Sequence, residues 1–287
     1  MFHRSLVVLV YALLPAFFIA GSAVGVDDLR QDVPSASVSE AESMLVFSKT
    51  AGFRHDSIAE GITCFRELGA ELGLKVIATE DASIFTSKSL ASVRVVVFLN
   101  TTGDILNDRE QAAFESYIRN GGAWFGVHAA ADTEYNWAFY KGLVGAYFKS
   151  HPAIQPARIN VEITDHPSTR MLPGLWNRTD EWYTYRLSPR EDVTVLASLD
   201  EDSFSGGGMN GDHPIAWCHE YKGGRALYTG GGHTRESYRE PKFRAHLKGS
   251  IEWLINPESG SEAGSGSEAG SGSEAESDSE NPPAALE

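Results

Sequence analysis

The 287-residue chain holds only two cysteines, Cys64 and Cys218, and no CxxC pair. A disulfide framework and a cysteine-built zinc site are both excluded. There is no HExxH. No GxGxxG follows the first folded apolar run. The glycine-rich stretch "SGGGMNGD" (205–212) lacks the Lys-Ser/Thr ending of a phosphate loop and is expected to be a hairpin or mobile loop. A nucleotide cofactor is therefore not supported. Basic residues are scarce as well: 24 Lys and Arg stand against 39 Asp and Glu, for a net charge of −15. Eight of the fifteen excess negative charges fall after Pro257, where no base follows, so the remainder is mildly acidic. That balance argues against a nucleic-acid partner.

Both ends differ from the middle. Leu6 to Ala20 is apolar and uncharged, follows His3 and Arg4, and precedes Ala23 and Gly25 at the −3 and −1 positions of a cleavage site. Pro15 interrupts the run, which favours a signal peptide over residues 1–25 rather than a spanning helix. Export to a periplasm or the exterior is expected, with no membrane contact after cleavage. Residues 26–42 form a linker. Residues 258–287 repeat "SGSEAG" and have too little apolar content to fold, so a disordered acidic tail is expected. One domain, 43–257, lies between them.

Within that domain, short apolar runs alternate with amphipathic ones. "MLVFSK" (44–49), "LKVIATED", "VRVVVFLNTTGD" and "AWFGVH" suit buried parallel strands. Ile58, Ile62, Phe65, Leu68 and Leu72 line one face of a helix closed by Gly73, and a second helix starts at Asn107 or Asp108 and ends before "RNGG". The second half is richer in β-structure: "ARINVEITD", "DVTVLASLD", and a hairpin of "HPIAWCHEY" and "GRALYTGGG" around Lys222–Gly224. A last helix spans about Arg239 to Ile255. Strand, helix, strand, helix implies a doubly wound α/β sheet with ligands at the carboxyl ends of its strands. Cys64 on a helix and Cys218 in a strand are expected as buried free thiols.

His55, His128 and His233 each follow a strand at such an end. His128 stands above "AAAD", which leaves space and brings Asp132 near; His233 follows a glycine run that lets backbone approach a ligand. His151, His166 and His213 are His-Pro pairs, whose histidine is held extended; His166 and His213 are expected to bond neighbouring carbonyls. His246, inside the last helix, is expected to be solvated or packed. "RTDEWYTY" (178–185) sets Glu181 beside Trp182, Tyr183 and Tyr185, a composition suited to a sugar, with rings on its apolar faces and a carboxylate on its hydroxyls. The competing reading is a half-exposed strand edge. Imidazole with carboxylate also suits a divalent metal, though a set drawn from His128, His151, Glu181 and His233 is too long-range to read from spacing.

Taken in order, "TAGFRHDSI", "GGAWFGVHAAAD", "HPAIQPARINVEITDHPSTRMLP", "DEWYTY", "HPIAWCHEYKGGRALYTGGGH" and "FRAHLKGSIEWLI" resemble the ThuA family, named for trehalose utilisation. The resemblance covers Ser43 to Pro257. It implies a flavodoxin-like three-layer α/β/α sandwich, similar to class I glutamine amidotransferases, with a mostly parallel sheet. Where those enzymes carry a cysteine nucleophile, His128 stands, so glutaminase chemistry is not expected. The family points to carbohydrate metabolism and to a small-molecule sugar as partner, and its recurring positions match His55, His128, His151, Glu181 and His233. The expected activity is lyase or hydrolase chemistry on a sugar or 3-keto-glycoside. His128 or His233 would act as general acid/base and Glu181 as proton partner, with His55, Asp132, Trp182 and Tyr183 binding substrate. No cofactor is certain from the sequence, and a divalent metal could assist. The alternative is a non-catalytic sugar-binding or accessory module.

Overall fold

Alternation along the central strands dictates how the domain is layered. In the computed structural model, which describes residues 42–256, Trp124 packs against Tyr140 on one side of the sheet, while its neighbour Phe125 meets Phe65 on the other. Two helical layers therefore sandwich one sheet. The expected signal segment, the tail and all but the last linker residue lie outside the described residues.

The parallel half uses the uninterrupted apolar runs. β1 (Ser43–Phe47), β3 (Val93–Leu99) and β4 (Ala123–Val127) are almost wholly buried, and β2 (Lys75–Thr79) edges them. Helix α1 (Ile58–Glu71) buries Ile58, Phe65 and Leu68 on one face of the sheet. On the other face lie the four-residue α2 (Ser87–Leu90), α3 (Asp108–Arg119) and α4 (Ala138–Val144). Phe98 of β3 stacks between Phe114 of α3 and Tyr140 of α4. Asn107 caps α3 through the amides of Arg109 and Glu110, and Glu110 returns a bond to the Asn107 amide.

The second half adds β5 (Phe148–Ser150), β6 (Gln155–Val161), β7 (Leu175–Asp180), β8 (Thr184–Tyr185), β9 (Thr194–Leu199), β10 (His213–Tyr221) and β11 (Gly224–Thr229). β5 and β8 pair separately. The large sheet has the order β2-β1-β3-β4-β11-β10-β9-β6-β7; its first five strands are parallel, and every later pair is antiparallel. β7 therefore runs in the same sense as β4 and β11. The β10–β11 turn uses Lys222 and Gly223, both at positive φ, as a two-residue hairpin requires. "SGGGMNGD" is not a hairpin: the Glu201 carboxylate ties it down by accepting from the Met209 and Gly211 amides.

Helix α5 (Pro241–Ile255) starts two residues later than the sequence suggests, because Pro241 opens it after a separate turn at Ser237–Arg239. It shares the α1 face, where Arg244 pairs with Glu67 and Lys248 with Glu71. His246 is packed rather than solvated, its Nδ1–H donating to the Ser168 carbonyl. No helix among the described residues is long and apolar enough to cross a membrane.

Candidate active site and metal centre

Four strand ends converge. His55 follows β1, His128 follows β4, His233 follows β11, and Glu181 follows β7. One ligand atom from each of these four lies within 4.8 Å of the others. His55, His128 and Glu181 are buried, and His233 is partly exposed.

His128 occupies the corner after β4 with φ +49°, in the left-handed region that costs a non-glycine residue roughly 1–2 kcal/mol. The surroundings hold it there: Tyr228 Oη donates to the His128 carbonyl at 2.8 Å, and the ring Nδ1 lies 2.8 Å from the Gly230 carbonyl. A carbonyl only accepts, so Nδ1 donates to it. His128 Nε2 lies 3.2 Å from His233 Nδ1 and 3.4 Å from Glu181 Oε2. Glu181 Oε2 also lies 3.0 Å from His233 Nδ1. His55 stacks edge-on against both His128 and His233, and its buried Nδ1 has no hydrogen-bond partner.

Burial, followed by the neighbouring His128 and His233, pushes the His55 pKa down to about 2. Burial works to raise Glu181, but hydrogen bonds with His128 and His233 outweigh it and hold the carboxyl well below its usual range. Burial likewise opposes His233, yet Glu181 raises its pKa. A carboxylate hydrogen-bonded to two imidazoles is thus the core of the arrangement.

This donor set fits a divalent cation. Zinc–nitrogen bonds of 2.0–2.1 Å in a tetrahedron place ligand atoms about 3.4 Å apart. The three separations among His128, Glu181 and His233, at 3.0, 3.2 and 3.4 Å, lie close to that spacing. The orphaned buried Nδ1 of His55 costs about 1–3 kcal/mol.

The carrier of His233 is itself latched. Asp180 is fully buried and accepts from the backbone amides of Gly232, His233 and Thr234 at 2.8, 3.1 and 3.3 Å. Ser237 Oγ donates to it at 2.9 Å, and the Arg178 guanidinium lies 3.0 Å away. Gly232, at φ +111°, turns the chain so that its amide can reach this carboxylate. No motif in the sequence marks Asp180; its signal is the Arg178/Asp180 pair on the buried face of an alternating strand.

Four expectations need correction. Trp182 is fully buried, with its indole donating to the Gln155 carbonyl and Arg178 over its ring, so it belongs to the core and cannot stack on a sugar. His151 is not one of the converging four: its Nδ1–H faces Glu181 Oε1 at 2.9 Å and the Pro152 carbonyl at 3.0 Å, and the ring is exposed. Asp132 does not join them either; its carboxylate accepts from Tyr135 Oη at 2.6 Å. Tyr183 is buried and lies against the His128 ring at 4.1 Å, where it supports that ring. His213 bonds Glu201 and the Tyr183 carbonyl, and His166 bonds Ser168. Both cysteines are free and buried, and burial pushes their thiols up to about 11 for Cys64 and about 12 for Cys218.

A family profile described as "ThuA: Trehalose utilisation" matches residues 43–254. Among solved structures, the chain is similar to a ThuA-like protein from Bacteroides uniformis at 27% identity and a TM-score of 0.64, covering 75% of this chain and 91% of that one. A ThuA-like protein from Parabacteroides merdae matches at 16% identity and a TM-score of 0.63, over 76% and 91% of the two chains. A cytoplasmic protein from Salmonella typhimurium shares the fold at 11% identity and a TM-score of 0.51, over 74% and 98%. No curated protein matches the chain.

Proposed function

Because the chain belongs to the ThuA family of trehalose utilisation, we propose that it transforms a sugar, best a 3-keto-glycoside, at a divalent metal held by His55, His128, Glu181 and His233. The observation that carries this reading is the convergence of three imidazoles and one carboxylate, whose ligand atoms lie within 4.8 Å of one another. A cation bound there would polarise the keto oxygen.

With those four as ligands, His151 is the imidazole left to move a proton. Its Nδ1–H is held by Glu181 Oε1, which leaves Nε2 as the basic nitrogen of an exposed ring. A ketone at C3 acidifies the C2–H bond. Nε2 takes that proton, the C2 electrons form the enolate, and the C1–O bond breaks with its electrons leaving on the aglycone alkoxide. The imidazolium then returns its proton to the alkoxide. Glu181 stabilises the imidazolium in between, as a buried carboxylate does for a catalytic histidine. Export, read from residues 1–25, belongs to the same proposal and is checked by fractionating producing cells.

The test is aglycone release from a methyl 3-keto-α-glucoside by the full chain supplied with Zn²⁺, Mn²⁺ or Co²⁺. His151→Gln should keep the metal and lose about 10²–10⁴ in rate, as removal of a general base does. His128→Ala should lose both metal and turnover. A wild-type chain that binds none of these ions, or turnover that survives His128→Ala, would overturn the reading. Saturable binding without product would favour the non-catalytic sugar-binding module instead.

A further inference from the structure

One aromatic ring at the site is exposed. Phe53 is 66% exposed and is the only aromatic among the exposed large hydrophobic side chains of the described residues. Its ring centroid lies 4.9 Å from that of His55, nearly perpendicular to it. His55 in turn touches His128 and His233. Phe53 is therefore joined to the converging four through a direct ring contact.

The loop that presents it is tied on both sides. Thr50 bridges Thr102, the Ala51 amide donates to the Thr102 carbonyl at 2.7 Å, and the Gly52 amide donates to Thr102 Oγ1 at 3.2 Å. Thr102 Oγ1 donates back to the carbonyl of Phe53 itself at 2.8 Å. On the far side, Arg54 grips Glu80 through two hydrogen bonds, at 2.7 and 3.1 Å, and His55 is buried. A phenyl ring in water that is fixed by its own backbone, beside a polar cluster, has the form of a binding platform. Ligand sites combine apolar walls with a few converging polar groups, and the converging four supply only the polar part. With Trp182 sealed in the core, Phe53 supplies the apolar part.

Resting on the functional reading above, we infer that Phe53 is the stacking platform for the sugar ring. Its negative π-face receives the partly positive C–H groups on the apolar face of a pyranoside, while the keto and hydroxyl oxygens turn toward His55, Glu181 and His233. The site would then select a ring with one face free of axial hydroxyls, and discriminate against open-chain polyols that offer no such face.

The test compares wild type, Phe53→Ala, Phe53→Leu and Phe53→Trp as full chains. The readings are KM, kcat, bound metal and Tm with the methyl 3-keto-α-glucoside, and its Kd by calorimetry. Phe53→Ala should raise KM and Kd about tenfold with metal content and Tm unchanged. Phe53→Leu should stay weak because it restores bulk without a π-face, and Phe53→Trp should restore binding. Wild-type binding matched within twofold by Phe53→Ala would overturn this inference and leave the functional reading standing. A wild-type chain that binds no 3-keto-glycoside would overturn both.

Discussion

Replacing Asp180 by Asn is the sharpest structural perturbation available near the site. Both carboxylate oxygens face donors only. Oδ1 accepts from the amides of Glu181, His233 and Thr234; Oδ2 accepts from the Gly232 amide and Ser237 Oγ and lies against Arg178. An asparagine must place its NH₂ against one of these groups of donors, whichever way it turns. The substitution also leaves Arg178, itself nearly buried, with Glu240 as its remaining carboxylate. Breaking a buried charge pair from one side costs about 3–5 kcal/mol. For a domain of this size each kcal/mol lowers Tm by about 2–4 °C, so a fall of roughly 6–20 °C is expected. The loop from Gly232 to Thr234 loses its latch, so His233 should hold metal about 10–100-fold less tightly, the usual loss when a residue behind a ligand is removed. Thermal melts and metal titration of Asp180→Asn read both effects. A Tm within 2 °C of wild type, together with unchanged metal affinity, would refute the latch.

His246 is buried with a pKa pushed down from 6.5 to about 4 by burial. Above pH 6.5 both states are neutral and its contribution to stability is fully present. As the pH falls from about 6.5 to 4, the unfolded chain takes up a proton that the folded chain refuses, and up to about 3 kcal/mol is lost. Urea midpoints across that range should fall less steeply for His246→Gln than for wild type; equal slopes would contradict this. A chelator should lower the Tm of the metal-loaded chain, since an ion at a hundredfold excess over Kd contributes about 2.7 kcal/mol. A chelator-independent Tm would argue that the cluster holds no metal.

The parallel half was legible because each strand is a closed apolar run and each helix carries its stripe and cap. β7 was not, because its buried positions are Trp176, Arg178 and Asp180, so charge stands where alternation leads one to look for aliphatic residues. The same alternation explains Trp182. Successive residues of an extended chain point to opposite sides, so turning Glu181 toward the site sends the indole into the core. His55, His128 and His233 were identifiable as strand-end residues, but their meeting is a product of topology and no sequence spacing encodes it. His151 was grouped with the candidate metal ligands because composition cannot tell a member of the converging four from a residue hydrogen-bonded to one of them. Phe53 had no periodic signal, since it sits in a loop whose anchoring partner, Thr102, comes from a different strand end.

The most direct measurement is an anomalous-scattering map from crystals of the full chain grown with Zn²⁺. The expected result is one peak enclosed by His55, His128, Glu181 and His233, about 2.0–2.2 Å from each ligand atom. Well-ordered side chains for all four with no peak between them, at saturating zinc, would contradict the metal centre.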